Sequence, residues 1–228
     1  VGHLTYDVLL PTMVASFTAS FTSEFLGLSK FSYHLVLDDR LPWFLIVRLV
    51  ILGIIFGLVG YLFARTMRLT RLTLTNHFPN PVWRIGIVGI IVSILLFIFH
   101  DGRYASLGTN LIVDSFHGGT IYPYDWLLKM ILTALTLACG FQGGEVLPMF
   151  AIGSTLGAAL AGIFGLPVDF VAALGFASVF GSATNTFLAP IFIGAEVFGF
   201  DAIPYFFIVC AIGYLCNGNR SIYSLQKI

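Results

Sequence analysis

Charged side chains are scarce in this sequence. Lys, Arg, Asp and Glu make up 10% of its 228 residues, whereas about a quarter is usual in soluble domains. With 58% hydrophobic residues, the chain has too little polar surface to cover a water-soluble globule, which excludes the ordinary soluble classes. Its 11 basic and 11 acidic residues give a net charge of zero, so no nucleic-acid partner is indicated.

Cysteine is also rare, and the three present form no recognisable site. Cys139, Cys210 and Cys216 lie in apolar segments, are odd in number and have no nearby His at a metal-ligand spacing. We interpret them as buried thiols and predict neither a metal nor a cofactor. The sequence begins at Val1 without an initiator Met or a signal-peptide pattern, so we expect the natural start to lie upstream.

Apolar segments bounded by charges, Pro or Gly predict an all-α, multi-pass integral membrane protein. They lie at 8–27, 43–64, 83–99, 125–140, 147–165, 168–184, 186–199 and 202–217. A spanning helix needs about 20 residues, and the segments after residue 125 are mostly shorter. We therefore predict short, broken helices whose ends are buried against protein or a water-filled cavity.

The linker predicted at 65–84 is basic and contains no acid. Its arginines are Arg65, Arg68, Arg71 and Arg84. The positive-inside rule places this linker in the cytoplasm, and Arg220 and Lys227 favour the same side for the end of the sequence. The Asp-containing linkers near 28–42 and 100–124 are expected on the opposite face.

The stretch Gly140–Pro148 separates two apolar segments and has the pattern of a helix start. Gly143 and Gly144 let the backbone approach a ligand closely, and Pro148 suits the first helical turn. An ordinary interhelical turn is the alternative interpretation.

A helix that begins here leaves the N–H groups of Glu145, Val146 and Leu147 without intrahelical acceptors. They carry the positive end of the helix dipole, about half an elementary charge. Such donors bind an anion without a fixed cation, so the anion is also released easily. Glu145 is a candidate proton or selectivity residue, because a carboxylate at membrane depth is costly unless it has a role. It is alternatively a dipole-complementing cap.

Several polar residues have simpler interpretations. Tyr223 follows a polar tail, so it is either an interfacial belt residue or an inward-pointing hydroxyl donor. We expect Arg48 and Lys129 to extend towards the membrane interface. Glu196 is expected near the end of a helix, with a pathway role as the alternative.

The remaining patterns favour packing over catalysis. Gly153, Gly157 and Ala161 form a stripe of small residues that predicts close helix packing. A serine nucleophile near Ser182 would need a base, but the last histidine is His117, far upstream. We therefore predict that the protein is not an enzyme.

At these residues the sequence resembles the CLC family of chloride channels and proton-coupled anion antiporters. The motifs are Gly143–Pro148 followed by Gly153 and Leu156-Gly157, Leu52–Gly57, Ala189-Pro190 followed by Glu196, and Tyr223 after the last break. The resemblance covers residues 1–228, as the second half of a CLC membrane domain. It implies an inverted-repeat fold of broken helices and a homodimer in which each subunit has its own pathway.

The resemblance also implies the site. The N–H groups of Glu145 and Val146, with the hydroxyl of Tyr223, would bind the central anion. The family's Gly-Ser-Gly-Ile-Pro-like and Gly-Arg-Glu-Gly-Pro-like motifs are absent, which implies that the gating glutamate lies outside this chain. Glu145-Val146 resembles the fluoride-exporting branch, whose motif reads Gly-Gly-Glu-Val-Thr-Pro, although Leu147 replaces its Thr.

Our prediction is therefore transmembrane transport of chloride or fluoride, by a channel or an anion/proton antiporter in the plasma membrane. Its predicted anion-binding residues are Gly143, Gly144, Glu145, Val146, Leu147 and Tyr223. Its partners would be halide, protons, lipid and a second copy of the chain. The alternative is an unrelated broken-helix secondary transporter of a small anion.

Overall fold

A computed structural model describes residues 6–28, 31–35 and 42–223, and within them the chain is helical without strands. The helices are α1 (Leu9–Phe25), α2 (Trp43–His77), α3 (Pro81–Ile98), α4 (Thr109–Phe116), α5 (Asp125–Cys139), α6 (Val146–Phe164), α7 (Val168–Thr184), α8 (Leu188–Phe198) and α9 (Ile203–Cys216). The predicted all-α class is confirmed. Lys227 and most of the predicted 28–42 linker lie outside the described residues.

Helix α2 is longer than the apolar pattern predicts. Residues 65–77 contain neither Gly nor Pro, and their side chains are compatible with a helix, so α2 continues to His77. The predicted linker at 65–84 is therefore wrong over most of its length. A short turn follows, and the side chain of Asn80 accepts a hydrogen bond from the Val82 N–H at 2.9 Å to begin α3.

Three helices in the described part of the chain are long and apolar enough to cross a membrane, namely α2, α3 and α6. Others are much shorter, with 8 residues in α4 and 11 in α8. The prediction of short, broken helices is confirmed. Because a short helix exposes its ends at membrane depth, those ends must contact protein or a cavity.

Helices α6 and α7 form the closest packed pair, as the small-residue stripe predicts. Gly153 and Gly175 face each other so closely that a Cβ on either would overlap the other's carbonyl oxygen. A Cβ on Gly157 would overlap the carbonyl oxygen of Val171 in the same way. Ala161 is fully buried. The stripe therefore lets two backbones meet.

Helix α2 packs against α7 and α9 through a second set of glycines. A Cβ on Gly57 would lie 2.8 Å from the Gly213 backbone, and one on Gly60 would lie 2.5 Å from the Ser182 side chain. The buried Ser182 hydroxyl donates to the Gly57 carbonyl at 2.7 Å. This hydrogen bond makes Ser182 a packing residue that ties α7 to α2.

Candidate anion site

The break between α5 and α6 has the form that the sequence predicts. Gly140 ends α5 with φ +120°, a conformation that favours glycine, and α6 begins at Val146 after the capping position of Glu145. The N–H of Met149 is bonded to the Glu145 carbonyl at 3.3 Å. Preceding N–H groups in the first turn have no acceptor within the helix, and Pro148 has no N–H to satisfy.

Arg84 supports the chain segment that leads to this helix start, a role that its place in a basic segment does not predict. The Nε of Arg84, on α3, donates to the Cys139 carbonyl at 2.9 Å, and its Nη1 donates to Thr75 at 3.1 Å. A cation at the last carbonyls of α5 complements the negative end of that helix dipole. Arg84 thereby fixes the residue that precedes Gly140.

The polar tail after α9 is held against the end of α7. Asn217 is fully buried, and its amide donates to the Ser182 carbonyl at 3.1 Å and to the Oδ1 of Asn185 at 2.8 Å. The Ile222 N–H donates to the Ala183 carbonyl at 3.0 Å. These bonds position Tyr223, the next residue.

The helix start and the tail meet at a cavity of about 720 Å³, which we call the arginine cavity. Its wall includes Arg65, Arg68 and Arg71 of α2, Arg220 and Tyr223 of the tail, and Glu145. The three α2 arginines are three residues apart, so successive ones are neighbours on the helix surface. The described wall contains four arginines and a single acid, which makes its potential positive.

Glu145, Arg71 and Tyr223 share the wall of the arginine cavity. Tyr223 is 46% exposed within this chain. The guanidinium of Arg220 lies over the ring of Tyr61, 5.8 Å from its centre, which holds that cation beside the cavity.

A second cavity of about 730 Å³ borders the loop that leads to α6, and we call it the α3–α5 cavity. Its wall includes Gly89 and Ser93 of α3, Lys129 and Thr133 of α5, and Gly143 and Gly144. The predicted site residues are thus divided. Glu145 and Tyr223 share the arginine cavity, Gly143 and Gly144 share the α3–α5 cavity, and Val146 and Leu147 belong to neither wall.

Lys129 contradicts the expectation that it extends to the interface. It is 1% exposed, and its ammonium donates to the carbonyls of Tyr104 at 3.0 Å and Ser106 at 2.8 Å. Those carbonyls satisfy the ammonium locally, so it need not reach water. Arg48, by contrast, is exposed.

A buried ionic network that no sequence pattern predicts lies near Lys129. Asp125 is fully buried and accepts hydrogen bonds from Tyr104 at 2.6 Å and Arg103 at 3.1 Å. Arg103 also pairs with Asp114 at 3.2 Å. Burial, with the hydrogen bond to Asp125, raises the pKa of the Tyr104 hydroxyl. The network braces the connection between α3 and α5.

Glu196 lies in the last turn of α8, as predicted, and is exposed. It belongs to the wall of neither cavity.

Comparison with known proteins identifies the family. A family model described as voltage gated chloride channel matches residues 1–218. The chloride/fluoride channel protein of Pseudomonas syringae pv. tomato is 34% identical over 236 residues, which cover 100% of this chain and 52% of that protein. The chain spans about half the length of the curated relatives it matches.

Solved structures agree with this match. The crystal structure of a CLC-type fluoride/proton antiporter is 52% identical, with a TM-score of 0.96, and the match covers 100% of this chain and 57% of that one. A slow cyanobacterial Cl⁻/H⁺ antiporter, 22% identical, shares the fold with a TM-score of 0.68 over 83% of this chain and 47% of its own. The chain is an integral membrane protein and belongs to the CLC, or voltage-gated chloride channel, family.

Proposed function

We propose that the protein containing this chain transports halide across the plasma membrane, favours fluoride over chloride, and exchanges the anion for protons. The observation that carries the proposal is the α6 start, whose unbonded N–H groups begin beside Glu145 at the edge of the arginine cavity. An all-dipole site suits transport, because it binds an anion strongly enough to select it and weakly enough to release it.

The preference for fluoride is supported by the relatives and by the motif. The 52% identical neighbour is a fluoride/proton antiporter, and the 34% identical relative is named a chloride/fluoride channel protein. Glu145-Val146 matches the motif of the fluoride-exporting branch. Leu147 replaces the Thr of that motif and removes one hydroxyl donor from the first turn.

Within this proposal, each group has a distinct role. N–H groups of the first turn and the Tyr223 hydroxyl donate to the anion, and the four arginines raise the local halide concentration. The Glu145 carboxylate repels the anion when ionised and accepts a proton as halide leaves, so one proton and one anion move in opposite directions. The remaining pathway elements, including the gating glutamate, lie outside this chain.

The proposal includes a homodimer with one pathway per subunit, surrounded by lipid. Membership of the CLC family argues against the alternative of an unrelated secondary transporter. It also favours transport over catalysis, because the matching family model describes a channel.

The test uses the full-length protein in liposomes loaded with fluoride or chloride. We expect fluoride efflux to exceed chloride efflux and to drive protons inwards against a pH gradient. Saturable chloride flux without proton movement would contradict fluoride preference and exchange while leaving halide transport intact. Absence of flux for both anions would contradict halide transport.

A further inference from the structure

The α3–α5 cavity contains a hydroxyl group with no hydrogen-bond partner among the described residues. Thr133 is 8% exposed and lies in the cavity wall, and its hydroxyl makes no hydrogen bond within residues 6–28, 31–35 and 42–223. Threonine in a helix commonly donates to a carbonyl one turn earlier, as Thr136 does to Leu132 at 2.7 Å. The unbonded Thr133 hydroxyl is therefore available to a molecule in the cavity.

A positive charge lies one helical turn from that hydroxyl. Lys129 and Thr133 are four residues apart, so their side chains are neighbours on α5. Both acceptors of the Lys129 ammonium are neutral carbonyls, and no carboxylate of the described residues lies within salt-bridge distance of it. An ammonium with neutral partners keeps its field, which is strong in a low-dielectric wall.

The nearest acid along α5 does not neutralise this charge by contact. Asp125 lies one turn before Lys129, but its carboxylate is occupied by Arg103, by the Tyr104 hydroxyl and by the Tyr122 N–H. The surroundings of Thr133 therefore combine a free donor with a nearby cation. One donor and one cation suit a small monovalent anion better than a phosphate, which needs several donors.

The cavity also lies next to the α6 start. Gly143 and Gly144 form part of its wall, whereas Glu145 lies in the wall of the arginine cavity. An anion released from the α6 start on the side of Gly143 and Gly144 would therefore enter the space that Thr133 faces.

We propose that Thr133 and Lys129 form a second halide site, in which the Thr133 hydroxyl donates to the anion and the Lys129 ammonium stabilises its charge. The inference rests on the proposed function, because it takes halide as the substrate. It extends the pathway from the arginine cavity, past the α6 start, to the α3–α5 cavity.

The test measures initial halide flux against halide concentration for the full-length protein in liposomes, with fluoride and chloride as probes. Thr133→Val keeps the shape of the side chain and removes the donor, so we expect the KM for halide to rise about fivefold, the usual effect of one hydrogen bond. Thr133→Ser retains a hydroxyl and should keep the wild-type KM. The matched control is Thr136→Val, whose hydroxyl is already bonded within α5.

Each outcome has a distinct meaning. An unchanged KM in Thr133→Val overturns the second site while the wild-type flux upholds halide transport. Equal increases in Thr133→Val and Thr136→Val, or in Thr133→Val and Thr133→Ser, assign the effect to packing and also overturn it. If the wild type transports no halide, the proposed function fails, and this inference fails with it.

Discussion

The side-chain amide of Asn217 donates to the Oδ1 of Asn185 at 2.8 Å, which joins the tail after α9 to the residue that ends α7. Asn185 has a left-handed backbone, with φ +52°, which asparagine adopts more readily than most residues. The same amide bonds the Ser182 carbonyl. The position of Tyr223 thus depends on a buried polar contact six residues earlier.

Asn217→Ala should destabilise the full-length protein by about 2–3 kcal/mol, because it removes the two buried hydrogen bonds that the Asn217 amide donates to the Ser182 carbonyl and to the Asn185 oxygen. The measurement is thermal unfolding of the purified protein in detergent. Asn76→Ala, at an exposed position on α2, is the control and should leave the unfolding temperature nearly unchanged. Equal effects of the two substitutions would contradict a bracing role for Asn217.

Gly153→Ala should disrupt the contact between α6 and α7, since the new Cβ would overlap the Gly175 carbonyl oxygen. Two packed backbones cannot separate locally without disturbing their neighbours, so we expect a loss of about 3 kcal/mol or more. Gly162→Ala, on the same helix, is the matched control, because a Cβ there meets nothing within 4 Å. It should be neutral or stabilising by up to about 1 kcal/mol. The measurement is the thermal unfolding temperature of Gly153→Ala and of Gly162→Ala.

Much of the fold could be predicted because its signals are local. The break at Gly140–Pro148 is visible as glycines and a proline between apolar runs, and the Gly153 and Gly157 stripe is visible as a four-residue period. The apolar pattern does not predict the end of α2, because a helix can continue where hydrophobicity falls. Residues 65–77 are more polar than the preceding turns but contain neither Gly nor Pro, so the helix continues through them.

The site was predicted less completely, because its supports join residues far apart in the chain. Asn217 reaches Ser182 and Asn185, and Arg84 reaches Cys139, over separations that no sequence period reveals. The expectation for Lys129 was wrong for a related reason. A lysine within an apolar helix was expected to seek water, but the folded chain brings the Tyr104 and Ser106 carbonyls to it.

Glu145→Gln should separate anion movement from proton movement. The amide has nearly the same shape as the carboxylate but carries no charge and takes up no proton, so we expect halide flux to persist while proton counter-movement falls at least tenfold. Simultaneous recording of halide efflux and internal pH in liposomes measures both. Glu196→Gln removes an exposed carboxylate outside both cavity walls and should leave the coupling intact. Unchanged coupling of proton movement to halide movement in Glu145→Gln would show that Glu145 acts only as a helix cap.

Tyr223→Phe should weaken halide binding by removing one hydroxyl donor while retaining the ring. Loss of a hydrogen bond of roughly 1–1.5 kcal/mol corresponds to a rise of about five- to tenfold in the KM for halide. Tyr61→Phe is the control, because its ring still supports the Arg220 guanidinium and only a hydroxyl is lost. If the KM of Tyr223→Phe equals that of Tyr61→Phe and of the wild type, Tyr223 is an interfacial residue whose hydroxyl does not contact the anion.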